Sequence, residues 1–78
     1  MVKVALVTGV ASGIGLATAK IFLENEYYVV GMSRRSEMAG NLGANFTYVS
    51  GDVSLAEDRQ RFVSTAMNTY GQIDVLAN

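Results

Sequence analysis

The chemistry of this chain is concentrated in one run, Thr8-Gly9-Val10-Ala11-Ser12-Gly13-Ile14-Gly15. An apolar stretch, Val4-Ala5-Leu6-Val7, precedes it, and a helix-like segment, Leu16 to Glu24, follows. A buried strand that turns through glycines into a helix aims main-chain N–H groups and the positive helix end at an anion. Gly9 permits a tight turn as the strand ends. Gly13 and Gly15 leave no side chain where a diphosphate must approach the backbone and where the helix must pack on the strand. The pattern points to a dinucleotide cofactor. Its spacing is Gly-x-x-x-Gly-x-Gly rather than the commoner Gly-x-Gly-x-x-Gly, and a glycine-rich turn without a ligand is the competing reading.

A second cluster, Ser33-Arg34-Arg35, follows the next apolar stretch. In dinucleotide folds the end of the second strand meets the adenosine ribose. An acidic residue there accepts from the ribose hydroxyls, whereas arginine favours a 2′-phosphate. A guanidinium grips phosphate through a two-pronged fork, and a hydroxyl adds one donor. The residues therefore predict NADP(H) rather than NAD(H). Arg34 is the first contact, Ser33 and Ser12 are helpers, and Arg35 stands beside them. A solvated arginine pair opening a loop is the alternative.

These groups need a scaffold, and the pattern supplies one. Lys3 to Val7 reads as a first strand, too apolar to have a wet face. Gly13 to Glu24 or Asn25 reads as a helix, with Ile14, Ala17 and Ile21 on one face. Tyr27 to Met32 is a second strand, aromatic and β-branched. Ser36 to Leu42 forms a short helix closed by Gly43, and Phe46 to Val49 a third strand. Ser54 and Glu57 match a capping box. The helix it opens carries Phe62, Val63, Ala66, Met67 and Tyr70 on one stripe, and Gly71 suits its end. Ile73 to Ala77 begins a fourth strand. Strand–helix alternation with right-handed crossovers gives an α/β fold, a partial Rossmann-like parallel sheet of order 3-2-1-4. The cofactor is then expected above the carboxyl ends of the first and fourth strands.

Composition removes most other chemistries. The 78 residues are 50% hydrophobic and carry a formal net charge of −1, room for one small domain. Nothing resembles a basic nucleic-acid binder, and no apolar run approaches a membrane span. No signal peptide is evident, so a cytoplasmic location is expected. There is no cysteine and no histidine, which leaves no thiolate nucleophile, no imidazole base and a poor ligand set for zinc.

Thr8-Gly9-x-x-x-Gly13-x-Gly15 resembles the cofactor motif of the short-chain dehydrogenase/reductase family. Ser33-Arg34-Arg35, Asp52-Val53 and the segment Gly71 to Asn78 agree with that family in order, the last up to the first Asn of its Asn-Asn-Ala-Gly motif. The resemblance covers the whole chain but only the amino-terminal part of a family member. It implies that Gly9, Ser12, Gly13, Ile14 and Gly15 surround the cofactor and that Asn78 lies near the adenosine ribose. It also implies that Asp52 and Val53 recognise adenine, the carboxylate accepting from the amine and a backbone N–H donating to a ring nitrogen. Support of the turn into Ser54 is the alternative role for Asp52.

Family members reduce carbonyls or oxidise secondary alcohols with a Ser and a Tyr-x-x-x-Lys pair, in which the Lys lowers the Tyr pKa. Here Gly31, Met32, Asp52 and Asp74 stand four residues after Tyr27, Tyr28, Tyr48 and Tyr70. The four tyrosines read as packing residues. The 78 residues alone are therefore expected to bind NADP(H) without turning over substrate. The parent enzyme is expected to use a small-molecule carbonyl or alcohol and to form homo-oligomers. A non-catalytic nucleotide-binding module and a self-associating structural fragment are the alternatives.

Overall fold

The computed structural model describes residues 2–11, 13–37 and 42–77. Along the chain run β1 (Val4–Thr8), α1 (Gly13–Glu24), β2 (Tyr28–Ser33), β3 (Phe46–Ser50), α2 (Ala56–Tyr70) and β4 (Val75–Ala77). The strands form one sheet in the order β3-β2-β1-β4, with every pair parallel. This is the Rossmann-type order expected from the alternating pattern. β1 lies at the switch point, where the chain turns from building the sheet one way to building it the other.

Successive side chains of a strand point to opposite faces, and both faces of this sheet are covered. Leu6, Val30, Met32 and Val49 pack with Phe62 and Ala66 of α2. Ala5, Val7 and Val29 pack with Ala19 of α1 and with Val10. The two helices thus sit on opposite sides. Double coverage explains why Val4 to Val7 needed no polar alternation, since all four are at most 2% exposed.

The phase of α1 differs from expectation. Ile14 is 87% exposed and Ile21 59% exposed, and Ala17 is also exposed. The face turned to the sheet carries Gly15, Ala19, Phe22 and Leu23, at i, i+4, i+7 and i+8. A side-chain carbon on Gly15 would lie 2.0 Å from the Gly9 carbonyl oxygen. The helix can approach the strand end only with glycine there, and that contact sets its rotation.

The expected capping box does not form. α2 starts after Leu55, whose side chain makes no cap. The Ser54 N–H and hydroxyl both donate to Asp52 Oδ1, at 2.9 and 2.8 Å. Both bonds turn Ser54 back towards Asp52 and leave it one residue before the N-cap position, which Leu55 occupies. Glu57 and Asp58 supply negative charge to the first turn instead. Phe62 and Ala66 form the buried stripe, while Val63 and Met67 remain 45% exposed. Gly71 ends the helix as expected, with φ 80° and its N–H donating to the Met67 carbonyl.

Most of the short helix expected over residues 36–42 falls on residues 38–41, outside the described residues. Ser36, Glu37 and Leu42 are not helical. The fourth strand starts later than expected, at Val75, because Ile73 packs into the α2-side core. Asp74 ties it to β1: its Oδ2 accepts the Val4 N–H at 2.8 Å, and its own N–H donates to the Val4 carbonyl.

Candidate functional site

At the carboxyl end of β1 the chain leaves the sheet through Gly9 and re-enters order at Gly13. Both have left-handed backbone, with φ +63° and +62°, conformations costly for residues with a side chain. A side-chain carbon at either position would meet nothing within 4 Å. The loop surface above them is therefore bare. Gly15 differs, since its missing side chain serves packing. Val10, within the same loop, is fully buried. Its N–H donates to the Met32 carbonyl at 3.3 Å, and its methyl groups occupy the space a Gly31 side chain would fill, 2.7 and 2.8 Å away. Glycine inside β2 is what lets the loop seat on the sheet.

α1 begins at this loop with no acidic residue in its first turn. Its positive end is left uncompensated by the chain's own carboxylates, unlike that of α2. That suits the approach of an external anion.

A cleft of about 790 Å³ opens beside the loop. It runs over the carboxyl ends of β1, β2 and β3 and is lined by Thr8, Gly9, Ala11, Ser33, Arg34, Arg35, Asp52 and Val53, among others. A smaller hollow of about 300 Å³ lies over β1 and β4, where Ile14, Gly15, Thr18 and Ala77 meet Thr8 and Gly9. Thr8 and Gly9 belong to both. A hollow thus lies above β1 and β4, where the cofactor is expected from sequence, while the larger cleft lies on the β2–β3 side. The exposed Ile14, read from sequence both as a core residue and as a site residue, lines the smaller hollow and not the core.

Arg34 and Arg35 are exposed at the end of β2. Among the described residues neither guanidinium has a carboxylate partner, the one ion pair being Arg61 with Asp58. Ser33 is different. Its Oγ is hydrogen-bonded to the Tyr48 hydroxyl and accepts the Arg35 N–H at 3.3 Å. Tyr48, expected to pack, does so and also reaches the site through its hydroxyl.

The 50–55 loop forms the far wall. Asp58 of α2 accepts the Asp52 N–H at 2.9 Å. Arg61 donates to the Ser50 carbonyl at 2.7 Å, and Arg59 to the Val53 carbonyl at 2.7 Å. The two bonds from Ser54, with the Arg34 charge adding to them, hold the Asp52 carboxyl below the ordinary carboxylate value. Asp52 is therefore an anion at neutral pH and supports its turn as well as lining the cleft. Among the described residues no group accepts the Val53 N–H. Gly9, Ser33, Arg34, Arg35, Asp52 and Val53 thus line the larger cleft, and Gly9, Ile14 and Gly15 the smaller hollow, while Gly13 opens α1 beside them and lines neither. Ser12 and Asn78 lie outside the described residues. Thr8, Ala11 and Ser54 also line the cleft and were not named as cofactor contacts from sequence. Their only sequence signal was adjacency to the glycine run and to Asp52.

The short chain dehydrogenase profile matches residues 3–78. This chain belongs to the short-chain dehydrogenase/reductase family. Among curated relatives, the mitochondrial borneol dehydrogenase of Lavandula x intermedia is 40% identical over 78 residues, covering 97% of this chain and 30% of its own length. Tropinone reductase-like 1 of Erythroxylum coca is 39% identical over 80 residues, covering 97% of this chain and 29% of its own length. Among solved structures, 3-ketoacyl-(acyl-carrier-protein) reductase from Brucella melitensis, complexed with NADH, superposes with a TM-score of 0.87 at 35% identity, over 95% of this chain and 32% of that one. The chain spans about 30% of the length of these relatives. Among the described residues no helix is long and apolar enough to cross a membrane, and no cluster of three or more ligating side chains could hold a metal.

Proposed function

We propose that this chain holds NADP(H) and forms the amino-terminal, nucleotide-binding part of an oxidoreductase acting on a carbonyl or secondary alcohol. When bound, the nicotinamide supplies or accepts the hydride. The bare backbone at Gly9 and Gly13, beside the uncompensated end of α1, fits a diphosphate. The Val53 N–H and the Asp52 carboxylate, a donor and an acceptor side by side in the cleft wall, would suit the adenine edge. The smaller hollow beside Ile14 and Ala77 would receive the nicotinamide half.

The observation that carries the choice of cofactor is Arg34. It is exposed at the mouth of the cleft, just past β2, and no acidic residue occupies Ser33, Arg34 or Arg35 to receive the hydroxyls of an unphosphorylated ribose. The Brucella relative is complexed with NADH, so the preference rests on these side chains and not on kinship.

The test is calorimetric titration of the chain with NADPH and NADH, repeated on Arg34→Asp. Hydrogen bonds to charged groups contribute about 1.5–3 kcal/mol, so Arg34→Asp is expected to weaken NADPH binding about 10- to 100-fold while sparing or improving NADH. Equal affinity of the unmodified chain for the two nucleotides refutes the assignment of the 2′-phosphate contact.

A further inference from the structure

Ser33, Arg35 and Tyr48 are joined by hydrogen bonds that cross from β2 to β3. Tyr48 pairs with Gly31, and Ser33 pairs with Ser50 two positions further on. Tyr48 and Ser33 are thus diagonal neighbours on one face, a separation that an aromatic side chain can bridge. Gly31 offers no side chain in the way. The Tyr48 hydroxyl lies 2.7 Å from the Arg35 carbonyl and 3.4 Å from the Ser33 carbonyl, and it is also bonded to Ser33 Oγ.

A phenol has one hydrogen. Directed along the 2.7 Å contact, it goes to the Arg35 carbonyl. The Ser33 hydroxyl must then donate to Tyr48, and its oxygen accepts the Arg35 N–H at 3.3 Å. The result is a closed ring of three bonds: Ser33 to Tyr48, Tyr48 to Arg35, and Arg35 back to Ser33. Two consequences follow. Ser33 has no hydrogen left for a phosphate, although its position at the end of β2 suggested a direct helper. The backbone on both sides of Arg34 is fixed, while the Arg34 side chain is exposed and makes no hydrogen bond or ion pair among the described residues, its charge acting only on nearby Asp52.

We infer that Tyr48 is a positioning residue for cofactor selection: through Ser33 and Arg35 it holds the turn that presents the Arg34 guanidinium to the 2′-phosphate. The inference rests on the NADP(H) reading above. A guanidinium pair with phosphate is directional, so a turn free to sample other geometries loses discrimination before it loses nucleotide affinity in general.

The experiment measures the binding of 2′,5′-ADP, which carries the 2′-phosphate, and of 5′-AMP, which lacks it. The dissociation constant of 5′-AMP divided by that of 2′,5′-ADP isolates the phosphate contact. Tyr48→Phe keeps the ring and deletes the hydroxyl. It is expected to reduce the ratio about three- to tenfold, the scale of one or two net hydrogen bonds, with 5′-AMP affinity unchanged. Ser33→Ala is expected to reduce the ratio similarly, and the double variant to do no worse than either single one, because both break the same ring. Additive losses would show instead that Ser33 touches the phosphate directly and would overturn the inference. So would an unchanged or increased ratio in Tyr48→Phe, which would leave the NADP(H) reading intact. A ratio of one in the unmodified chain would overturn both.

Discussion

Gly15→Ala adds one methyl group at the tightest point of the fold. Its carbon would stand 2.0 Å from the Gly9 carbonyl oxygen, 2.5 Å from the Gly9 carbonyl carbon and 2.9 Å from the Thr8 carbonyl oxygen. Ordinary contact begins at 3.4 Å, so 3.4 − 2.0 = 1.4 Å must be made up. All three atoms are main chain, and no rotamer change relieves them. Either α1 lifts from the strand end, uncovering Ala19, or the glycine loop is displaced with Val10. Overpacking typically costs about 1–3 kcal/mol, and a backbone obstacle places this case at the upper end. A chain of this length is stabilised by roughly 4–12 kcal/mol in total. Each kcal/mol moves the melting temperature by about 4–8 °C, so a fall of about 12–24 °C is expected. Gly13→Ala is the matched comparison. It meets no neighbour, and its cost is only the left-handed backbone, about 1–2 kcal/mol. Its methyl would nevertheless project into the open space above the loop. Gly13→Ala is therefore expected to melt above Gly15→Ala yet to lose NADPH affinity while still fully folded. Circular dichroism melts, with calorimetric titration below both transitions, separate the two effects. Gly15→Ala melting together with the unmodified chain would refute the packing role, and Gly13→Ala binding NADPH at full strength would refute the cradle.

Gly31→Ala should act on the same loop from below. The new carbon would crowd both Val10 methyl groups and Phe46 Cε1, the last at 2.9 Å. These are side-chain atoms that can give, so a loss of about 1–3 kcal/mol in denaturant melts is expected, with weaker NADPH binding as Val10 is unseated. Acid should unfold the chain only at low pH. Asp52, Asp58 and Asp74 are held below the ordinary 3.8, chiefly by the N–H groups of Ser54, Asp52 and Val4 respectively. A carboxyl with a lowered pKa in the fold stabilises it fully above the unfolded value, and the benefit disappears as pH falls through the folded one. Melting temperature is expected to be flat from about pH 7 to 5 and to fall steeply below about 4. With no histidine in the chain, a fall beginning near pH 6 would contradict this account.

The sheet order was legible because two independent signals agreed. Val4 to Val7 is apolar without alternation, which requires cover on both faces, and each strand is followed by enough chain for a crossover. The phase of α1 was not legible. Ile14 and Ile21 are more hydrophobic than Gly15 and Ala19, so a reading led by the isoleucines missed the face on which Phe22 and Leu23 pack. What decides the rotation is how close the helix must come to the Gly9 carbonyl, and that distance belongs to the packed structure. The failure at Ser54 has the same character. Ser54 and Glu57 have the right spacing for a capping box, but the helix starts one residue later, after Leu55, and Ser54 turns back to Asp52.

At the site, most of the residues recognised by type line two adjoining hollows, but type alone does not show which protein partners each one has. Serine at the end of β2 reads as a free donor. Whether its hydrogen is free depends on which residue of β3 lies diagonally opposite, and therefore on register. Register placed Tyr48 beside Gly31 and within reach of Ser33, and no pattern along the chain shows that pairing. On the NADP(H) reading proposed above, this register would leave arginine, and not serine, to meet the phosphate. The short side chain is consumed in fixing the turn, while the long one projects past it. Short polar groups bond to the backbone they stand on, and charged forks extend to the ligand.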